Sequence, residues 1–133
     1  MKFVHTSDWQ MGMRAASIGL QGERVREARL EAARRVIRSA QEQGAEMLLV
    51  TGDVFEDNAV ERTLVRKVGE ILRSFPGPVY IIPGNHDPLC PGSVWEHSIW
   101  TESSNLTLLG SAEPLELASC VLFPCPLHEK YST

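Results

Sequence analysis

VYIIPGNHD, residues 79–87, is the stretch on which the fold turns. Val79 to Ile82 are four consecutive β-branched or aromatic residues, the composition of a strand buried in a sheet. Pro83-Gly84 closes that strand, and Asn85-His86-Asp87 follow at once. The same arrangement occurs twice upstream. Residues 2–6, KFVHT, read as a short buried strand and lead into Asp8-Trp9-Gln10. Residues 46–51, EMLLVT, are a nearly continuous apolar run, which fits a strand covered on both faces, and lead into Gly52-Asp53-Val54-Phe55-Glu56-Asp57.

Helical patterns separate the three strands. From Glu23 to about Gln43, Val25, Ala28, Ala32, Val36 and Ala40 recur at three- and four-residue spacing, with Ala33 and Ile37 beside them. Gly44 is placed to stop this helix. Its arginines (Arg24, Arg26, Arg29, Arg34, Arg35, Arg38) interleave with Glu23, Glu27, Glu31 and Glu42, so they read as a solvated face carrying helical ion pairs. Val60–Phe75 is a second amphipathic helix, ended by Pro76-Gly77-Pro78. Ser7–Gly22 has no clean period and reads as a loop. Strand, helix, strand, helix, strand is a βαβαβ unit with a parallel sheet, and the fold class is α/β. Beyond it, Ser93–Trp100 is a candidate short helix, and Asn105–Leu109, Pro114–Leu117 and Cys120–Phe123 are candidate short strands.

In a parallel sheet every polar cluster that follows a strand falls on the same edge, where open α/β sheets bind their ligands. That edge would gather Asp8, Gln10, Asp53, Asn85 and His86. Oxygen donors with one imidazole suit Mg²⁺, Mn²⁺ or Fe better than metals that prefer thiolate. Gly52 and Gly84 let the backbone turn tightly before a ligand. One such cluster is an ordinary turn; three at successive strand ends are far harder to obtain by chance. His5, inside a strand, reads as a core histidine, Trp9 as a packing residue, and His128 as a loop residue.

Bulk properties narrow the rest. The 133 residues suffice for one domain with a real core. No apolar run reaches the roughly 18 residues needed to cross a bilayer, and the N-terminus lacks the pattern of a signal peptide, so cytoplasmic residence is expected. The net charge of −4 leaves no basic footprint for nucleic acid, although bound cations can supply positive charge that side chains lack. Cys90, Cys120 and Cys125 are read as small semi-buried thiols.

The three clusters together resemble the calcineurin-like metallophosphoesterases, whose motifs D-x-H, G-D-x-x-D and G-N-H-[DE] each follow a strand. Here they are Asp8-Trp9-Gln10, Gly52-Asp53-Val54-Phe55-Glu56 and Gly84-Asn85-His86-Asp87. FVHTSDWQMG and GDVFEDN are similar to the SbcD-type DNA-repair nuclease subunits. The likeness covers roughly residues 2–92, and the rest more loosely. It implies the calcineurin-like fold and a two-metal phosphodiesterase acting on DNA. Asp53 would bridge two divalent cations, Mn²⁺ foremost, with Mg²⁺, Fe or Zn²⁺ as alternatives. Asp8 and Gln10 would complete one metal site and Asn85 the other. His86 would protonate the leaving oxygen or steady the transition state, and Asp87 would orient its ring. DNA and an SbcC-type ATPase are the implied partners, and a homodimer is left open.

Two positions depart from the pattern: Gln10 stands where the family has His, and Glu56 where it has Asp. The family's later His and G-H-x-H ligands have no counterpart here, so the chain is expected to be an N-terminal part of a longer enzyme and, alone, to bind metal weakly and hydrolyse little. The motifs build a metal site and not a substrate pocket. A phosphoesterase for a small or protein substrate, and a non-catalytic interaction module, therefore remain as alternatives.

Overall fold

The computed structural model describes residues 1–12 and 20–131. Four strands, β1 (Phe3–Thr6), β2 (Met47–Thr51), β3 (Val79–Ile82) and β4 (Leu106–Leu108), form one sheet in the order β1-β2-β3-β4. Every pair is parallel, with Phe3 opposite Met47, Leu48 opposite Val79 and Val79 opposite Leu106. Helices α1 (Leu20–Glu42) and α2 (Arg62–Arg73) make the first two crossovers. A 3-10 turn (Val94–Glu96) and a short helix α3 (Ile99–Glu102) lie on the third. A separate antiparallel pair, β5 (Leu115–Glu116) and β6 (Val121–Leu122), follows. This is the α/β architecture expected. The loop assigned to residues 7–22 is only partly described, since residues 13–19 lie outside the described residues, and α1 already begins at Leu20.

The helices form one layer, with α1 against α2 and α2 against α3. Leu48, Val50, Val79, Ile81 and Leu106 are buried in one cluster with Leu30, Ala33, Ile37 and Ala40 of α1 and Leu64, Val65, Val68 and Leu72 of α2. The stripe read on α1 is thereby corrected. Val25, Ala28 and Ala32 are exposed, and the buried face runs through Leu30, Ala33, Ile37 and Ala40. α1 ends as expected, with Gly44 at φ 68° and Ala45 N–H returning to the Ala40 carbonyl at 3.0 Å. The candidate helix 93–100 is broken at His97, whose φ and ψ of −62° and 138° are extended.

The expectation that β2 is covered on both faces is also corrected. The opposite face of the sheet is open: Phe3 and His5 are exposed, and Leu49, Tyr80 and Ile82 are half-buried. Three crossovers that share one side leave the other side without a helix. His5, expected in the core, stands on this open face and pairs its Nε2 with Thr51 Oγ1 at 2.6 Å. Among the described residues no helix is long and apolar enough to cross a membrane. The three cysteines are free, and Cys125 is exposed rather than semi-buried.

Beneath the carboxyl edge of the sheet lies an aromatic knot. Phe55 meets Trp95 and Trp100 edge-on, at centroid separations of 5.8 and 6.2 Å, a geometry that aligns ring edge with ring face. Both indole N–H groups are satisfied, Trp95 by the Asp87 carbonyl at 2.7 Å and Trp100 by the Val94 carbonyl at 2.9 Å. The floor under the polar clusters is therefore rigid.

Candidate metal centre

The loops that follow β1 and β2 continue to pair after the strands end. Asp8 N–H donates to the Gly52 carbonyl at 3.1 Å, Gln10 N–H to Asp53 at 3.0 Å and Met11 N–H to Val54 at 2.9 Å. Glu56 N–H returns to Met11 at 2.9 Å. This pairing bends the chain so sharply that three non-glycine residues take left-handed backbone: Asp8 at φ 57°, Gln10 at 47° and Asp53 at 54°. That conformation costs an L-residue about 1–2 kcal/mol, and outliers of this kind gather at functional sites. All three are candidate ligands. Arg29 of α1 holds the first loop from below, donating to the Trp9 and Gln10 carbonyls at 3.4 and 3.2 Å.

The loop after β3 is clamped to the loop after β2. Gly52 faces Gly84 so closely that a Cβ on Gly52 would lie 3.1 Å from the Gly84 Cα. A Cβ on Gly84 would lie 2.3 Å from Asp53 Oδ1 and 2.5 Å from Asp53 N. Asp53 Oδ1 accepts from His86 N–H at 2.9 Å. The Asn85 amide places one terminal atom 3.3 Å from Asp53 Oδ1 and 3.1 Å from Oδ2; turned so that its nitrogen faces the carboxylate, it donates to both. With the oxygen there instead, two acceptors stand about 3 Å apart, the spacing of adjacent ligands on one cation with bonds near 2.1 Å.

Asp87 has a different place from the one expected. Its carboxylate is fully buried and accepts from Gly84 N–H at 2.8 Å, Asp53 N–H at 3.2 Å and Phe55 N–H at 3.1 Å. Burial, and then the charge of Asp53, push its pKa up to about 6 against the pull of these three donors. It does not orient the His86 ring. His86 Nδ1 lies 3.1 Å from the Glu56 carbonyl instead. A carbonyl can only accept, so Nδ1 carries the proton and Nε2 is the ring nitrogen left for chemistry. The structure thus joins Asp53, Asn85 and His86 directly and brings Asp8 and Gln10 alongside through their backbones. It sets Asp87 beneath them as a buried fastening.

Two residues escaped the sequence reading. Arg29 is one of six similar arginines on α1, and nothing in the spacing separates it from Arg34 or Arg38, which pair with Glu27 and Glu31 at 2.8–3.3 Å. Glu56 was noted only as a departure. Its Oε2 is buried without a hydrogen-bond partner among the described residues, and its carbonyl sets the His86 tautomer. The donor set fits hard divalent cations: the carboxylates of Asp8 and Asp53, the amides of Gln10 and Asn85, and an orphaned carboxylate oxygen close by. Among the described residues no three of His, Cys, Asp and Glu gather as a metal cluster; the set draws on amides instead.

A model of the calcineurin-like phosphoesterase family matches residues 1–121. The chain is also 28% identical over 123 residues to the uncharacterized metallophosphoesterase YhaO of Bacillus subtilis (strain 168), a match that spans 87% of this chain and 29% of that relative. The chain therefore covers less than a third of that protein's length. It belongs to the calcineurin-like phosphoesterase family.

Proposed function

From that membership and this donor set, we propose that the chain forms the N-terminal part of a metal-dependent phosphodiesterase acting on DNA, and that alone, without the family's later histidine ligands, it hydrolyses little. The observation that carries the metal reading is the left-handed backbone of three candidate ligands, Asp8, Gln10 and Asp53, on loops that hydrogen-bond to one another at one edge of the sheet. Asp53, at the centre of the set, would hold both divalent cations, with Asp8 and Gln10 as further ligands of one and Asn85 of the other, and Mn²⁺ is the first candidate. Such ions supply Lewis-acid charge for a phosphate and activate a water. His86, with Nδ1–H committed to the Glu56 carbonyl, offers Nε2 to hold or deliver a proton at the leaving oxygen. Arg29 and Asp87 keep the three loops in register. Support for DNA comes from residues 2–12 and 52–58, where the likeness to SbcD-type subunits is closest, and an SbcC-type ATPase is the matching partner.

The net charge of −4 favours a second reading, a phosphoesterase for a small substrate, because no cationic surplus is present to follow a nucleic-acid backbone. The test compares hydrolysis of bis-p-nitrophenyl phosphate and of end-labelled duplex DNA by the full-length protein, with Mn²⁺ and with EDTA, for wild type and Asp53→Asn. The proposal expects both substrates to be cut only with Mn²⁺ and neither by the variant. Cleavage of the small ester alone would move the assignment to the second reading. Cleavage of neither would sink the proposal.

A further inference from the structure

Beyond Asn58, beside the same edge, lies a cavity of about 280 Å³ that the chemistry above leaves unused. Asn58 is its shared wall. Its Nδ2 donates to the Pro88 carbonyl at 3.1 Å, and its Oδ1 accepts from Val94 N–H at 3.3 Å. Pro88 is two residues from His86, so the cavity is tied to the loop that carries the candidate catalytic groups.

The lining is rich in donors that have no acceptor. Arg62 opens α2, lines the cavity and makes no ion pair among the described residues. Glu61, at the N-cap, makes no side-chain cap bond, and its carbonyl takes the Leu64 N–H at 3.0 Å, which leaves the Arg62 and Thr63 N–H groups at the positive end of this 12-residue helix without an acceptor among the described residues. Ser93, also in the lining, is 5% exposed, and its hydroxyl has no hydrogen-bond partner among the described residues. His97 Nδ1 accepts from Ile99 N–H at 3.0 Å, which places the proton of the neutral ring on Nε2 and makes that nitrogen another donor. Burial, followed by Arg62 and Arg66, holds the His97 pKa below its ordinary value, as expected where positive charge collects. Glu96 is the carboxylate in the lining, and its Oε2 is taken up by Gly92 N–H at 3.1 Å.

We propose that this cavity is a second phosphate subsite, in which Arg62, the α2 N-terminus and Ser93 hold a phosphate of the substrate beside the one being cleaved. It rests on the phosphodiesterase reading and deepens it. The test is a titration of the isotope-labelled chain in EDTA, first with inorganic phosphate and then with a 5′-phosphorylated thymidine dinucleotide, following the amide resonances of Arg62, Thr63 and Val94. Saturable shifts of these amides with both ligands are expected. Arg62→Gln should weaken both by about tenfold, the loss of a charge-assisted hydrogen bond, and Ser93→Ala should weaken them less. Absence of saturable shifts, or equal affinity in Arg62→Gln, would overturn the subsite. Binding of free phosphate without the dinucleotide would overturn its assignment to substrate. The titration needs no turnover. Binding of both ligands by the chain together with no ester hydrolysis by the full-length protein would thus refute the proposed function and leave the subsite standing.

Discussion

Asp53 occupies the point where all three ligand loops meet. Its N–H is held by Asp87, its carboxylate by His86 N–H, its carbonyl by Gln10 N–H, and its backbone is left-handed. Gly84 is the residue that makes room for it. Gly84→Ala would set a methyl 2.3 Å from Asp53 Oδ1, with the backbone nitrogen also in the way. The expected outcome is at least a tenfold loss of Mn²⁺ affinity with an unchanged far-ultraviolet circular dichroism spectrum; wild-type affinity would show that the loops are not clamped in this way. Gln10 is the second residue-scale question. Imidazole is a stronger donor than an amide oxygen toward Mn²⁺, Fe or Zn²⁺. Gln10→His is therefore expected to tighten metal binding about tenfold, the low end of the effect of altering a ligand's surroundings, and Gln10→Ala to weaken it. Identical metal titrations for Gln10→Ala and wild type would remove Gln10 from the ligand set.

Elements meet through a few close contacts. On α2, Gly69 faces α3, and a Cβ there would lie 2.4 Å from Ile99 Cγ1 and 2.9 Å from Cγ2. Alanine is the better helix former by about 1 kcal/mol, yet overpacking costs about 1–3 kcal/mol. Gly69→Ala is expected to lower the urea midpoint, and in combination with Ile99→Ala to cost less than the sum of the two changes. Additivity would mean that the helices can move apart. Asp87 joins the loops after β2 and β3 rather than serving one side chain. Asp87→Asn exchanges one acceptor oxygen for an amide group that faces N–H donors. The Phe55 N–H is the donor so orphaned, at a cost of about 1–3 kcal/mol, and a loss of that size in urea unfolding is expected. A loss below 1 kcal/mol would refute the fastening role. Asn105, just before β4, makes a similar tie, donating to the Arg73, Phe75 and Gly77 carbonyls at 2.9–3.3 Å beyond the cap that Ser74 N–H makes on the Ile71 carbonyl at 3.2 Å.

For the molecule as a whole, the candidate metal centre sits on a core that is already packed. Phe55, Trp95 and Trp100 lie beneath it, and the strand ends are joined by backbone hydrogen bonds. Removing metal is therefore expected to leave the chain folded, whereas adding it stabilises the native state by mass action. At a hundredfold excess over Kd the gain is about 2.7 kcal/mol. Differential scanning calorimetry should show Tm rising with Mn²⁺ for wild type and remaining constant for Asp53→Ala. A rise of equal size in the variant would place the bound metal elsewhere.

The sequence by itself determined the βαβαβ order and the shared edge on which Asp8, Gln10, Asp53, Asn85 and His86 lie. Strand-length apolar runs and helical periodicity are local signals, and parallel pairing makes all the strand ends coincide. Gly52 and Gly84 were legible for the same reason, since a tight turn before a polar cluster is written in neighbouring residues. Only the tertiary structure decided which apolar stripe of α1 is buried, because Val25, Ala28 and Ala32 differ from Leu30, Ala33 and Ile37 in what the sheet offers them and not in period. It alone separated Arg29 from the other arginines, turned Asp87 from the His86 ring to three backbone N–H groups, and left one face of the sheet open. Each of these depends on partners that are distant in sequence, such as Asp87 with Phe55 or Arg29 with Trp9, and no spacing within a single segment encodes such a meeting.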